Sequence, residues 1–205
     1  MNVFDVSMKQ IRNGLVYLPN ETKPFTGGFV GWYDNSQKLV ESNYIDGKED
    51  GKYTRWHGNG TKWIEQYYKD GKKDGAHTVW HDNGTKAVES NYKDGKLDGK
   101  YTRWDLNGTK AEESNYKDGK EDGQRLTWWY RNGKKESETN YKDGKKDGNS
   151  ILWFKNGQKR KESNYIDGKK TSFIVMRLKK IGINPKKWYF VIFTVVIIFF
   201  LNQIH

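Results

Sequence analysis

GKYTRWHGNGTKWIEQYYKDG, residues 51–71, is a run rich in Tyr, Thr and Trp, then Asn59-Gly60, then a second such run, then Asp70-Gly71. Tyr, Thr, Trp and Ile suit the pleated, half-buried surface of a strand. Asn-Gly between two such runs is a strong hairpin signal, because both residues tolerate the positive φ of a type I′ turn. The stretch therefore predicts a β-hairpin closed by a two-residue loop at Asn59-Gly60. The connector that follows, D-G-K-x-D-G at Asp70 to Gly75, repeats the turn chemistry and leads into the next strand. Successive hairpins joined by short turns make an antiparallel meander.

The pattern recurs about six times. Trp32, Trp56, Trp80, Trp104, Trp129 and Trp153 are 24 residues apart, with a single 25-residue step between Trp104 and Trp129. Tyr44, Tyr68, Tyr92, Tyr116, Tyr141 and Tyr165 keep the same beat. A period of this length means one supersecondary unit, too small to bury a face alone, stacked on copies of itself. Near-identical units present like groups in rows, whereas a catalytic pocket needs unlike groups that converge. The expectation is a binding protein and not an enzyme.

Counting outward from the two-residue loops pairs Thr54 with Glu65, Thr78 with Glu89, Thr102 with Glu113 and Thr127 with Glu138. The same count pairs Val79 with Val88 and Arg103 with Glu112, all sensible cross-strand partners. The extra residue of the fifth unit is placed within Gln124 to Trp128, where a β-bulge would absorb it. In this register the Trp column shares a face with Thr and Glu, and the Tyr column lies on the opposite face. Equivalent residues of adjacent units then sit two strands apart, about 9.6 Å. The aromatics must therefore pack on intervening residues such as Tyr53, Tyr101 or Trp63. Trp56, Trp80, Trp104 and Trp129 on one face, and Tyr68, Tyr92 and Tyr116 on the other, are the candidate binding residues. Whether a column is sheet core or ligand platform, and which face binds, stays open.

Composition excludes several classes. A mean hydropathy of −1.06 and 31% charged residues in 205 leave too little apolar material for one large core. Disorder is countered by the 15% of aromatic residues. With no cysteine there is neither a disulfide framework nor a thiolate metal site. Paired aspartates such as Asp94 and Asp98 offer a calcium ion only two carboxylates beside a lysine, where six to eight oxygens are needed. No metal and no cofactor is expected, and no nucleophile or phosphate-loop motif is present. The first eighteen residues carry Asp5, Lys9 and Arg12 without an apolar run, so no secretory leader is expected.

Units such as Glu89 to Trp104, ESNYKDGKLDGKYTRW, resemble the bacterial variant of the MORN repeat, an aromatic followed by x-G-K-x-x-G and a strand. The resemblance runs over about residues 15–170. With the N-terminal segment Gly14 to Tyr33 and its P-F-T-G at Pro24 to Gly27, the whole chain is similar to the YwqK-like family, commonly labelled antitoxin components of toxin–antitoxin systems. The resemblance implies a scaffold for a protein partner, a toxin among the candidates, and contact with anionic lipid as an alternative. Aromatic-glycine hairpin repeats also build glycan- and cell-wall-binding modules with aromatic cages, the other alternative class.

The C-terminus differs from the array. Trp188 to Leu201, WYFVIFTVVIIFFL, is fourteen residues without a charge. Extended to His205 as a helix it reaches about 27 Å, close to the ~30 Å hydrocarbon core of a bilayer. Trp188 and Tyr189 stand where an interfacial aromatic belt would place them. Seven cations precede it, among them Lys179, Lys180, Lys186 and Lys187, and no acid follows Asp167. Elsewhere 30 basic residues nearly balance 26 acidic ones, which speaks against nucleic acid as the partner. The alternative for the apolar stretch is a strand that caps the last hairpin.

The sequence thus predicts an all-β chain: a single-layer antiparallel meander of about six hairpins, with a C-terminal transmembrane helix. Residues 1–26 are an N-terminal partial repeat or cap, 27–171 the repeats, 172–187 a basic juxtamembrane linker and 188–205 a hydrophobic anchor. Positive-inside bias would hold the repeats at the membrane on its cytoplasmic side.

Overall fold

The computed structural model describes residues 2–129 and 132–171. The predicted span at 188–205 and the basic linker with Lys179, Lys180, Lys186 and Lys187 lie outside them. Among the described residues no helix is long and apolar enough to cross a membrane.

Six hairpins follow one another along the chain: Gly27–Trp32 with Lys38–Ile45, Gly51–Trp56 with Lys62–Lys69, Lys72–Trp80 with Lys86–Lys93, Gly99–Trp104 with Lys110–Lys117, Gly123–Trp128 with Lys135–Lys142, and Lys145–Trp153 with Lys159–Ile166. Each strand pairs antiparallel with the one before and the one after it, so one sheet runs through all twelve in chain order. Val3–Asp5 adds a parallel strand at the first edge, and Lys169–Lys170 pairs with Ile166 and Tyr165 at the last.

The predicted register holds in the second to fourth hairpins, where Thr54, Thr78 and Thr102 face Glu65, Glu89 and Glu113. It holds through a different loop from the one expected. His57 N donates to Thr61 O (2.8 Å), Gly60 N donates to His57 O (2.9 Å), and of Asn59 and Gly60 only the glycine has a positive φ, +83°. This is a type I turn followed by a glycine bulge. The loop spans residues 57–61 between the Trp56–Lys62 pair, and a second bulge skips Trp63 to bring Ile64 opposite Arg55. The two irregularities cancel, which restores the Thr54–Glu65 pair. Asn59 serves the loop through its side chain: Oδ1 accepts from Thr61 N at 3.0 Å. The type I′ geometry belongs instead to Asp70-Gly71, whose φ values are +49° and +77°, between Lys69 and Lys72.

The fifth hairpin corrects the expected placement of the extra residue. Trp128 pairs with Lys135 as Trp104 pairs with Lys110, so the insertion lies in the loop after Trp128 and not within Gln124 to Trp128. Leu126 accordingly faces Glu138 and Thr127 faces Ser137, in place of the expected Thr127–Glu138 pair. An extra loop residue costs little closure entropy, whereas one inside the strand would interrupt the ladder. Trp128, not Trp129, therefore continues the Trp column.

Both margins of the sheet are stitched from unit to unit. On the connector side Gly71 N donates to Glu49 O at 2.8 Å, and Asp70 N donates to Asp50 Oδ2 at 3.1 Å. The same aspartate bond recurs from Asp94 to Asp74, Asp118 to Asp98, Asp143 to Asp122 and Asp167 to Asp147. On the loop side Asn59 Nδ2 donates to Asp82 O at 2.8 Å, and Asn35, Asn83 and Asn132 do likewise. The recurring Asp and Asn are thus explained by unit-to-unit bonding.

One layer of strands leaves little to bury. Outside the first hairpin and the segment before it, Ala111 is the buried apolar residue among those described; the others are Val16, Phe25, Phe29 and Tyr44. These four form one cluster with Phe4 and Leu18 against it. Residues 2–26 close over the first hairpin through three backbone bonds: Val16 N to Gly47 O (2.9 Å), Gly47 N to Phe25 O (2.7 Å) and Phe25 N to Val16 O (2.8 Å). Along the rest of the sheet the buried residues are mainly Ser, Thr and Gln.

Candidate functional site

The two faces are built differently. On the tryptophan face, the lysine that opens each second strand reaches the glutamate three residues on: Lys38 to Glu41 (3.1 Å), Lys62 to Glu65 (2.6 Å), Lys86 to Glu89 (2.9 Å) and Lys110 to Glu113 (2.6 Å). Lys135 to Glu138 and Lys159 to Glu162, each at 2.8 Å, complete the row. The hydrogen bond from Lys62 holds Glu65 below the usual carboxylate range, and Lys110 does the same for Glu113. Four of the six lysines also lie over the tryptophan of the next unit: Lys38 over Trp56 (5.3 Å), Lys62 over Trp80 (5.6 Å), Lys110 over Trp128 (5.5 Å) and Lys135 over Trp153 (5.7 Å). One exposed contact of this kind contributes about 0.5–1 kcal/mol. The row's main effect is to lid the indoles with the protein's own cations.

Trp129 leaves this column. It stands in the loop at the place of His57, His81 and Asp105, with Lys155 Nζ 5.4 Å from its ring centre. Its neighbours in the other loops bond across units, His57 Nε2 to Trp80 O (3.2 Å) and His81 Nε2 to Trp104 O (3.3 Å). Among the described residues no three His, Asp or Glu side chains gather as a metal site.

On the tyrosine face, Tyr68, Tyr92 and Tyr116 each meet a ring from the first strand of their own hairpin, edge to face. The partners are Tyr53 (6.2 Å), His77 (5.5 Å) and Tyr101 (6.0 Å). Gln66 Nε2 donates to the Tyr68 hydroxyl at 2.7 Å. Burial pushes the Tyr68 phenol up to about 12, so it stays a neutral hydroxyl. Tyr44 is covered by the N-terminal segment, with Lys9 Nζ donating to its hydroxyl at 2.7 Å. In the fifth and sixth units the inner ring is replaced by Arg125 and Ser150, opposite Thr139 and Ser163. There the face opens into a hollow of about 330 Å³ lined by Tyr141, Lys146 and Tyr165. Sequence reading missed it, although the change from aromatic to Arg125 and Ser150 within a constant frame is the signal.

His77 adds a pH dependence. Burial, and then the Lys73 ammonium, push its pKa down to about 4. The folded ring stays neutral while the unfolded one binds a proton near pH 6.5. Its stabilising contribution is complete above about pH 6.5 and is lost as the pH falls toward 4. Because the ring is only half-buried, the expected loss is about 1–2 kcal/mol. The wild-type denaturant midpoint should therefore fall between pH 7 and pH 4.5 by more than that of His77→Phe; parallel curves would refute the assignment.

The family model described as MORN repeat variant matches residues 49–70, 73–94, 97–118, 125–143 and 146–167. No curated protein matches the chain. Each matched segment begins on or beside the connector glycines, crosses one hairpin and ends near the next Asp-Gly turn, so its bounds follow the observed repeat. The matches together cover just over half of the 205 residues.

Proposed function

Because this chain belongs to the MORN repeat variant family, we propose that it is a non-enzymatic scaffold that holds a protein partner along its tyrosine face. The observation that carries this reading is the contrast between the faces. Glutamate-paired lysines lid four tryptophans of one face, while the other carries the partly buried rings of Tyr68, Tyr92 and Tyr116 in a row, with Lys73 over Tyr92 at 5.0 Å. Rows of aromatic and hydroxyl groups at a constant interval suit an extended protein surface, and buried aromatics are favoured anchors at interfaces.

The similarity to YwqK-like chains makes a toxin the first partner to test, with this protein as its antitoxin or immunity factor. The apolar segment 188–205 would tether the complex to the membrane, with the repeats on the cytoplasmic side. The test is capture by the full-length protein of the product of an adjacent reading frame, followed by alanine scanning of both columns. Tyr92→Ala or Tyr116→Ala should weaken capture by at least ~2 kcal/mol, and Trp56→Ala or Trp80→Ala, whose rings are lidded, by much less. Circular dichroism melting of each variant separates lost contact from lost fold. A scan in which only the tryptophans matter would move the site to the opposite face.

A further inference from the structure

The hollow in the last two units differs from the rest of the tyrosine face in charge and in hydrogen bonding. Tyr53, His77 and Tyr101 fill the equivalent space in the second to fourth units, and Phe29, under the N-terminal segment, fills it beside Tyr44 in the first. Among the described residues no carboxylate lines the hollow, whereas Lys146 and Lys161 do. Arg125, at one end, is already neutralised by Glu112 at 2.8 Å and Glu121 at 3.2 Å. Lys146 rests 5.2 Å above the Tyr165 ring.

Ser163 supplies the independent observation. Only 6% of it is exposed, it lines the hollow, and its Oγ is buried without a hydrogen-bond partner among the described residues. Gln66, Ser90 and Thr139 at the same position are satisfied by Tyr68, His77 and Ser150. Ser114 Oγ also lacks a partner among the described residues, but there Tyr101 stands opposite and fills the space, so Ser163 is the one whose unpaired hydroxyl adjoins an open hollow. A buried hydroxyl left unpaired is costly, and such groups in folded proteins mark a missing partner. A donor hydroxyl beside two cations selects an anionic oxygen. Leu152 and the Tyr165 ring offer apolar wall on either side.

We propose that this hollow is the docking point for an acidic segment of the partner protein, with a Glu or Asp carboxylate accepting from Ser163 Oγ between Lys146 and Lys161. The inference rests on the scaffold reading and names the chemistry its partner must carry. Charge complementarity of this kind sets orientation and association rate.

The test titrates the full-length protein with a blocked hexapeptide of alternating Glu and Leu, with its Gln-Leu counterpart, and with inorganic phosphate. The acidic peptide should bind at least tenfold more tightly than the neutral one. Lys146→Gln and Lys161→Gln should each weaken it several-fold, and the double variant at least tenfold. Ser163→Ala should weaken it while leaving the melting temperature unchanged or raised, since it removes an unpaired hydroxyl. Equal binding of the two peptides, or indifference to both lysines, overturns the proposal, as does binding of phosphate without the acidic peptide. If a captured partner ignores the lysine variants, the scaffold reading stands and the acidic docking point falls. If the peptide binds here but no protein is captured, the scaffold reading falls instead.

Discussion

Phe29→Ala should destabilise the protein by about 3–5 kcal/mol, the largest effect expected from one side chain. Phe29 is fully buried, with the Phe25 ring 4.5 Å and the Tyr44 ring 5.6 Å away. It is the element through which the N-terminal segment and the first hairpin share a core. Its loss should therefore unseat both together, and amide exchange should rise over residues 3–45 before it rises in the fourth hairpin. Val79→Ala, on a half-buried strand of the single layer, should cost nearer 1 kcal/mol. A denaturation midpoint for Phe29→Ala within 1 kcal/mol of wild type would show that the cluster is not the anchor of the fold.

Gly47→Val should rank next, at about 2–4 kcal/mol from overpacking and backbone strain together. Its φ is +79°, and an added Cβ would stand 2.9 Å from Leu15 Cβ, 3.0 Å from Pro24 Cβ and 3.0 Å from the Val16 backbone nitrogen. The Val16 nitrogen is held by its bond to Gly47 O, and Leu15 and Pro24 adjoin residues held by the closing bonds, so little can give. Gly95 is the matching control: same turn, φ +83°, and nothing nearer than Lys72 Cβ at 3.8 Å. Gly95→Ala should cost only the left-handed backbone, about 1–2 kcal/mol. Equal losses at the two positions would mean that the N-terminal segment does not lean on the first turn.

The meander, the hairpin count and three of the four Thr–Glu pairs could be read from sequence because strand propensity, alternation and a constant period agree. The turn types could not. A glycine after asparagine looks the same whether it ends a type I′ turn or follows a type I turn as a bulge, and at Asn59-Gly60 a compensating bulge at Trp63 hid the difference from the register count. The Trp128-Trp129 doublet offered two candidates for one column. The step from Lys110 to Lys135 is consistent with either, and only the pairing of Trp128 with Lys135 decides. The division of labour between the faces depends on lysines reaching into the next unit, such as Lys62 over Trp80, and no local pattern encodes that. The hollow at Ser163 is visible only when the inner-ring column is followed to its end.

The stitched margins also determine how the molecule would yield to force. Every interior unit is bonded to its two neighbours by the strand ladder, with aspartate bonds such as Asp70 to Asp50 at one margin and asparagine bonds such as Asn59 to Asp82 at the other. A load entering from the Lys169 side would meet these fastenings in series and shear them one unit at a time. Each 24-residue unit would release about 80 Å of chain, giving a sawtooth of nearly equal teeth. The first hairpin, clasped by the N-terminal segment, would be the last and tallest. Under the proposed tether and partner, the array would in this way behave as a graded mechanical fuse, lengthening in steps before it lets go.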